Sequence, residues 1–283
     1  MILVTGGTGT SGCEIVNQLA AAGSRFKAMA RDPSRAQSLR LPGVEVVAGD
    51  FDRPETLGAA LTGVERVLLL TPPAERQVEH NARFLEAARR TGVRHVVKFS
   101  AAGADPDSPA RFLRQHGEAE RAIQSSGLAW TFLRPPFFMQ NLLGLAGMVK
   151  GGTLYQPAGE GRAAFVDVRD IAAVAVKALT QDGHLGKVHD ITGPRAISHH
   201  EIAAALSKVL GRPVNYVNVP PEAAKQAMTG AGMAPWQADA ILELYALLRE
   251  GRFDRATTTV KDVTGREPVS IEQFVRDYRG AFT

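Results

Sequence analysis

The stretch ILVTGGTGTSG, from Ile2 to Gly12, decides the fold. An apolar, strand-like run opens it, and Gly6, Gly9 and Gly12 then fall three residues apart. The chain continues into a segment where Ile15, Val16, Leu19 and Ala20 recur at helical spacing. A glycine-rich turn between strand and helix suits a pyrophosphate. One glycine turns the chain, one lets the backbone approach the phosphates, and one lets helix and strand lie close. The helix start adds unpaired N–H groups and the positive end of its dipole, and Thr8, Thr10 and Ser11 add hydroxyls. The Gly-Lys-Ser/Thr of a Walker loop is missing, so the expected ligand is a dinucleotide bound by Gly6, Thr8, Gly9, Thr10, Ser11 and Gly12.

Further along, short apolar runs at 2–5, 26–30, 44–47, 64–70, 95–99 and 128–133 alternate with segments of helical length. That alternation predicts an α/β fold, a Rossmann-type doubly wound parallel sheet with helices on both faces. Asp32 before Pro33 reads as a helix N-cap, and Ser198-x-x-Glu201 as a capping box, so helices are expected to start near 33 and 199. After Pro135-Pro136 the texture changes, with expected strands near 153–155, 187–191 and 214–219 and a helix from about 168. The expected domains are a nucleotide-binding domain over 1–135, completed by about 165–195, and a smaller, mostly helical substrate lobe from 136–164 and 196–283.

The 283 residues, 45% hydrophobic and 22% charged, describe an ordinary globular chain. The net charge of +4 is spread over scattered Lys and Arg residues, and no helix-turn-helix or zinc-finger pattern occurs, so no nucleic-acid partner is expected. The apolar stretch 171–179 is too short to span a membrane and contains Lys177. A single cysteine, Cys13, rules out a disulfide framework, and strand-like residues begin at Ile2; a cytoplasmic protein is expected. The seven histidines lack metal-ligand spacing, so no metal is expected.

The residue ending the second strand selects the cofactor in such sites. A carboxylate binds the ribose diol of NAD, whereas a guanidinium pairs with the 2′-phosphate of NADP. Here that residue is Arg31, with Arg35 nearby, while Asp32 suits the cap before Pro33. NADP(H) is therefore expected in preference to NAD(H).

With these residues placed, the sequence resembles the atypical short-chain dehydrogenase/reductases, specifically the NmrA-like group with its quinone-, triphenylmethane- and isoflavone-reductase-like members. The resemblance rests on TGGTGTSG at the first turn, Arg31, GDFDRPETL (49–57), GVRHVVKFS (92–100), WTFLRPPFFMQNL (130–142), FVDVRDIA (165–172) and ITGPRAIS (191–198). It implies that Asp50 and Phe51 lie along the adenine, Thr71 and Pro72 along the ribose and pyrophosphate, and Pro135 to Phe138, Phe137 among them, near the nicotinamide. The wider superfamily carries a Tyr-x-x-x-Lys pair on the helix after the fifth strand; this sequence has Phe112 and His116 in those places. Some NmrA-like reductases carry His followed four residues on by Glu, as His116 and Glu120 do here.

Loss of the phenol disfavours simple ketones and sugar-nucleotide epimerisation, because the developing alkoxide lacks its proton donor. Conjugated acceptors such as quinones, azo dyes or triarylmethane cations spread or cancel that charge. The expected activity is NADPH-dependent hydride delivery to such a small aromatic substrate. His116 is the candidate proton donor and Ser100, at the end of the fifth strand, a hydrogen-bond donor; the competing reading makes His116 a buried structural histidine. Phe138, Asn141 and Tyr155, with Phe137 and Met139, read as substrate contacts or as an apolar hinge. The segment 235–250, with Trp236, Leu244, Tyr245 and Leu248, would serve a homodimer or packing within the lobe. A second function also fits: a non-catalytic NADP(H) sensor acting through a protein partner.

Overall fold

The computed structural model describes Met1–Thr283. The elements run β1 (Ile2–Val4), α1 (Thr10–Ala21), β2 (Phe26–Ala30), β3 (Val44–Ala48), α2 (Leu57–Leu61), β4 (Arg66–Leu69), α3 (Gln77–Arg90), β5 (His95–Phe99), α4 (Arg111–Gln124) and β6 (Ala129–Arg134). There follow α5 (Ala146–Lys150), β7 (Thr153–Gln156), β8 (Arg162–Ala163), α6 (Val168–Thr180), β9 (Lys187–Asp190), β10 (Ile197–Ser198) and α7 (His199–Leu210). The C-terminal part adds β11 (Asn215–Asn218), α8 (Pro221–Gly230), α9 (Pro235–Arg249), α10 (Thr259–Thr264), α11 (Ile271–Asp277) and α12 (Arg279–Phe282). No helix is long and apolar enough to cross a membrane.

The chain divides into two compact units. The first comprises 1–108, 112–134 and 168–190 and carries one seven-stranded sheet in the order β3-β2-β1-β4-β5-β6-β9. Every pairing in it is parallel, as the expected doubly wound fold requires. α1 and α6 pair on one face, where Gln18 Nε2 donates to the Arg169 carbonyl at 3.0 Å. On the other face Leu57, Phe84, Leu85 and Ile123 from α2, α3 and α4 bury against Leu3, Val67, Leu69, Val96 and Phe132 of the strands. Burying both faces explains why the strands read as continuous apolar runs. The strand order reverses direction between β1 and β4, and ligands of such sheets bind at that switch point, beyond the C-terminal strand ends.

The second unit comprises 109–111, 135–167 and 191–283. Two small sheets, β7 with β11 and β8 with β10, support a largely helical set of elements. The capping box at the start of α7 is present: Glu201 N donates to Ser198 Oγ at 3.3 Å and Ser198 N donates to Glu201 Oε2 at 3.0 Å. Helix α7 ends at Gly211, whose φ of 74° is the left-handed C-cap geometry that glycine adopts without strain.

One predicted helix is absent. The cap at Asp32 forms, accepting from Ser34 N at 2.9 Å and Ser34 Oγ at 2.6 Å, but it starts only a single 3₁₀ turn over Pro33–Arg35. The chain leaves helical angles at Ala36 (φ −91°, ψ 53°) and turns again to bury Leu39 fully beside Gly7. A local cap nucleates one turn; the demand for core contact ends it.

Candidate active site

At the switch point Thr5 fastens β1 to the chain leaving β4. Its hydroxyl donates to the Leu70 carbonyl at 3.0 Å and accepts from Leu70 N at 2.9 Å. The following turn runs so close to β4 that a Cβ on Gly6, whose φ is 67°, would stand 2.8 Å from the Leu70 carbonyl oxygen. A Cβ on Gly12 would stand 2.1 Å from the Gly6 carbonyl oxygen, so α1 rests directly on the turn. Gly9 is different: its nearest neighbour for an added Cβ is 3.5 Å away, and packing within the chain does not require glycine there. Gly9 is the N-cap residue of α1, and no side chain caps that helix. The first-turn N–H groups are thus left for an anion, with exposed Thr8 and Thr10 beside them and Ser11 nearly buried. This cradle fits the pyrophosphate of a dinucleotide.

Arg31 is exposed at the end of β2 and its side chain forms no ion pair or hydrogen bond, whereas Asp32 is committed to Ser34. Asp50 is partly buried, its Oδ1 accepting from Asp52 N at 3.0 Å. The Phe51 ring is only 7% exposed and lies 5.7 Å from Phe84 and 6.0 Å from His80, so it belongs to the core rather than to an open ligand surface.

Beyond β4, Thr71 is buried and Pro72 exposed. Thr71 Oγ1 donates to Asn81 Oδ1 at 3.2 Å, and Gln77 Nε2 lies 3.5 Å from the Thr71 carbonyl. Gln77 Oε1 and Asn81 Nδ2 are buried with no partner, and orphaned polar atoms grouped at a strand end are what a bound polar ligand would satisfy. Val96, Lys98 and Ser100 point to the α3 and α4 face of the sheet by strand alternation. Lys98 is fully buried, with one long contact, Nζ to Thr71 Oγ1 at 3.4 Å. Burial pushes its ammonium down to about 7, against the opposing pull of Glu120.

Ser100 is 3% exposed and donates its hydroxyl proton to Glu120 Oε1 at 2.5 Å. The same carboxylate receives a two-pronged Arg134 guanidinium, through Nε at 2.9 Å and through Nη2. Ser100 therefore does not present the free donor expected from its position, and Glu120, one helical turn from His116, makes no hydrogen bond to it. His116 is partly buried and its Nδ1 is buried without a partner. Burial first, and the charge of Lys98 second, hold its imidazole neutral, far below the ordinary histidine range. The start of α4 is fixed by close approach: a Cβ on Gly117 would lie 2.2 Å from the Asp105 carbonyl carbon, and Gln115 Nε2 donates to the Ala74 carbonyl at 3.1 Å.

In the second unit Pro135 is buried, and the chain after it runs beside 165–166, with Val166 N donating to the Phe137 carbonyl at 3.0 Å and Met139 N to the Val166 carbonyl at 2.9 Å. The Phe137 ring meets Phe253 edge-on at 5.2 Å, Phe165 at 5.7 Å and Tyr245 at 5.9 Å. Tyr245 donates to Gln156 Oε1 at 2.6 Å, and His199 stands 5.6 Å from Phe165. Phe138 is partly buried and Asn141 exposed. Tyr155 is 47% exposed and does not join this cluster, because on β7 Leu154 and Gln156 face inward and the residue between them faces out.

Lys98, Gln77, Asn81 and Arg134 were not marked by the sequence reading, nor were Phe165 and Phe253 as neighbours of Phe137. A lysine inside the apolar run HVVKF was the available signal for the first of these. The others depend on contacts between distant segments. No group of three or more His, Cys, Asp or Glu residues is placed to hold a metal ion.

The NmrA-like family model matches residues 1–274, and the chain belongs to that family. It is 48% identical, over all of its length and 99% of the relative's, to an NAD(P)H azoreductase of Xenophilus azovorans. Among solved structures, an NADPH-dependent quinone oxidoreductase of Escherichia coli complexed with NADPH superposes with a TM-score of 0.90 at 28% identity, covering 98% of this chain and 99% of that one. A triphenylmethane reductase of Citrobacter sp. complexed with NADP(H) gives a TM-score of 0.87, also at 28% identity and with the same coverage.

Proposed function

We propose that this chain, an NAD(P)H-dependent reductase by kinship, uses NADPH in preference to NADH and delivers hydride to a conjugated aromatic acceptor of the azo, quinone or triarylmethane type. The observation that carries the reading is the full-length similarity to an NAD(P)H azoreductase, and the chemistry of the first unit supplies its terms. The uncapped start of α1 and the glycines beneath it would hold the pyrophosphate, and the uncommitted guanidinium of Arg31 the 2′-phosphate. Asp50 and the Thr71–Pro72 turn would line the adenosine and ribose path. Bound NADPH would supply the hydride.

The protein's own part is orientation and protonation. Glu120, held by Ser100 and Arg134, fixes the ends of β5 and β6 against α4. His116 would offer the N–H of its neutral imidazole to the developing anion, in a helix with no phenol at Phe112. In the second unit Pro135, Phe137, Phe138 and Asn141 would form the wall for a flat substrate, joined by Phe165 and Tyr245 in place of Tyr155. Mixing purified protein with NADPH and a panel of azo dyes, quinones and triarylmethane dyes, while following loss of reduced-nicotinamide absorbance, tests the reading. Turnover above the uncatalysed rate is expected. Tight NADPH binding without turnover of any acceptor would overturn it in favour of a cofactor sensor.

A further inference from the structure

The aromatic cluster of the second unit closes on itself. Phe137 meets Phe165 at 5.7 Å, Phe165 meets His199 at 5.6 Å, His199 meets Tyr245 at 6.1 Å, and Tyr245 meets Phe137 at 5.9 Å. Tyr216 of β11 stands 5.5 Å from His199. The phenylalanine rings offer no hydrogen bond, and both phenol protons are spent within the chain. Tyr245 donates to Gln156 Oε1 at 2.6 Å, and the Tyr216 hydroxyl lies 3.2 Å from the carbonyl oxygens of Gln156 and Gly159. His199 differs: it is 3% exposed, and its Nδ1 is buried with no partner. The next polar residues of α7 are engaged elsewhere, His200 with Glu160, and Glu201 with Arg162, Arg195 and Ser198 N. A buried nitrogen without a partner costs its lost hydration, and a phenylalanine would fill the same place without that cost.

Resting on the functional reading given above, we propose that His199 determines substrate specificity: its Nδ1 hydrogen-bonds a hydroxyl on the aromatic ring of the acceptor, so that phenolic acceptors are preferred over otherwise identical ones lacking that group. A hydroxyl fits either tautomer, because it donates to a bare ring nitrogen and accepts from an N–H. Burial first, and the charge of His200 second, hold the imidazole down at about 4, so it is neutral near pH 7. The surrounding rings bring no charge either, and the cluster therefore selects a neutral polar group rather than an ion. Phe137, Phe165 and Tyr245 supply the flat surface, and His199 supplies the polar mark on it that fixes orientation. Such a site discriminates against an analogue without the hydroxyl because its own polar atom is then left unpaired.

The test uses the full chain with NADPH and a matched pair of azo dyes, para-hydroxyazobenzene and azobenzene. Wild type is expected to prefer the hydroxylated dye by about 10-fold or more in kcat/KM. His199→Phe keeps a flat ring and removes both nitrogens, so its melting temperature is expected to hold or rise. Its preference should vanish through a raised KM for the hydroxylated dye, while azobenzene turnover and NADPH affinity stay within about two-fold of wild type. His199→Asn returns a hydrogen-bonding atom to the place of Nδ1 and is expected to recover part of the preference. In wild type loaded with NADP⁺, where no hydride can pass, NMR of labelled histidine is expected to show the His199 ring nitrogens shifting with para-hydroxyazobenzene and not with azobenzene. That measurement is independent of how the variants fold. An unchanged preference in His199→Phe, equal losses on both dyes, no gain of His199→Asn over His199→Phe, or an unmoved His199 signal would each overturn the proposal. Failure of wild type to turn over any azo, quinone or triarylmethane acceptor would instead overturn the functional reading on which it rests.

Discussion

At the first turn the groups offered to a ligand are backbone N–H donors, and the side chains have been removed to expose them. Around Glu120 the groups are side chains from β5, α4 and β6 that hold one another. The turn is specified by what cannot be present, a Cβ at Gly6 or Gly12. The cluster is specified by what must be present together, the hydroxyl of Ser100 and the guanidinium of Arg134 on one carboxylate. Steric exclusion asks only for the absence of a Cβ, whether the opposing backbone is near in sequence, as Gly6 is to Gly12, or distant, as Leu70 is to Gly6; charge pairing asks for particular side chains brought together by the fold. The two regions should therefore fail differently.

The largest expected effect is at the turn. Gly12→Ala places a Cβ 2.1 Å from the Gly6 carbonyl oxygen, so the turn must open; NADPH affinity should fall about 100-fold or more, with a lowered melting temperature. Gly9→Ala meets nothing closer than 3.5 Å, and should leave melting within about 1 °C while weakening NADPH about 10-fold. Fluorescence titration beside calorimetry separates the two variants, and equal behaviour would break the contrast between a packing glycine and a ligand glycine.

Next comes the cluster. Glu120→Gln keeps the shape but leaves Arg134 without its counter-charge, and the cost should be about 3 kcal/mol, roughly 6–12 °C in melting temperature. NADPH affinity should change far less than in Gly12→Ala. A variant that loses binding and keeps stability would show that the cluster belongs to the ligand rather than to the scaffold.

The turn has no titratable side chain, whereas the side-chain-built regions hold neutral imidazoles. Burial lowers His95, His189 and His199 to about 4 each. Between pH 6.5 and pH 4 the unfolded chain binds protons that the folded chain refuses, so stability falls as pH falls through that window. At pH 5 the loss should be on the order of 1 kcal/mol per ring after solvent screening, visible as a falling melting temperature below pH 6.5.

The smallest effect sharpens the cofactor side. Arg31→Ala should weaken NADPH about 10-fold, leave NADH unchanged and leave melting unmoved, because that side chain has no partner within the chain. Equal weakening of both cofactors would remove Arg31 from 2′-phosphate recognition.

Local rules carried a good deal of the structure. Phe26–Ala30 and His95–Phe99 form strands at the bounds expected from their apolar runs, and Ser198 and Glu201 cap α7 as their spacing predicts. The helix expected at Pro33 stops after one turn because Leu39 is drawn into the core, a demand that no local signal announces. Tyr155 belonged to the same aromatic vocabulary as Phe137, yet strand parity turned it outward. His116 and Glu120 stand one turn apart on α4, but the Glu120 carboxylate is taken by Arg134 and Ser100.

The sequence by itself determined the parallel sheet, the glycine turn at its switch point and the place of Arg31 at the end of the second strand, because each follows from backbone geometry or from residues adjacent in the chain. Only the tertiary structure decided that Lys98 lies fully buried with its ammonium at Thr71, that Ser100's proton is already committed, and that Phe137 is enclosed by Phe165, Tyr245 and Phe253. Burial and charge pairing depend on segments far apart in sequence, and their energies exist only once the fold has excluded water from between them.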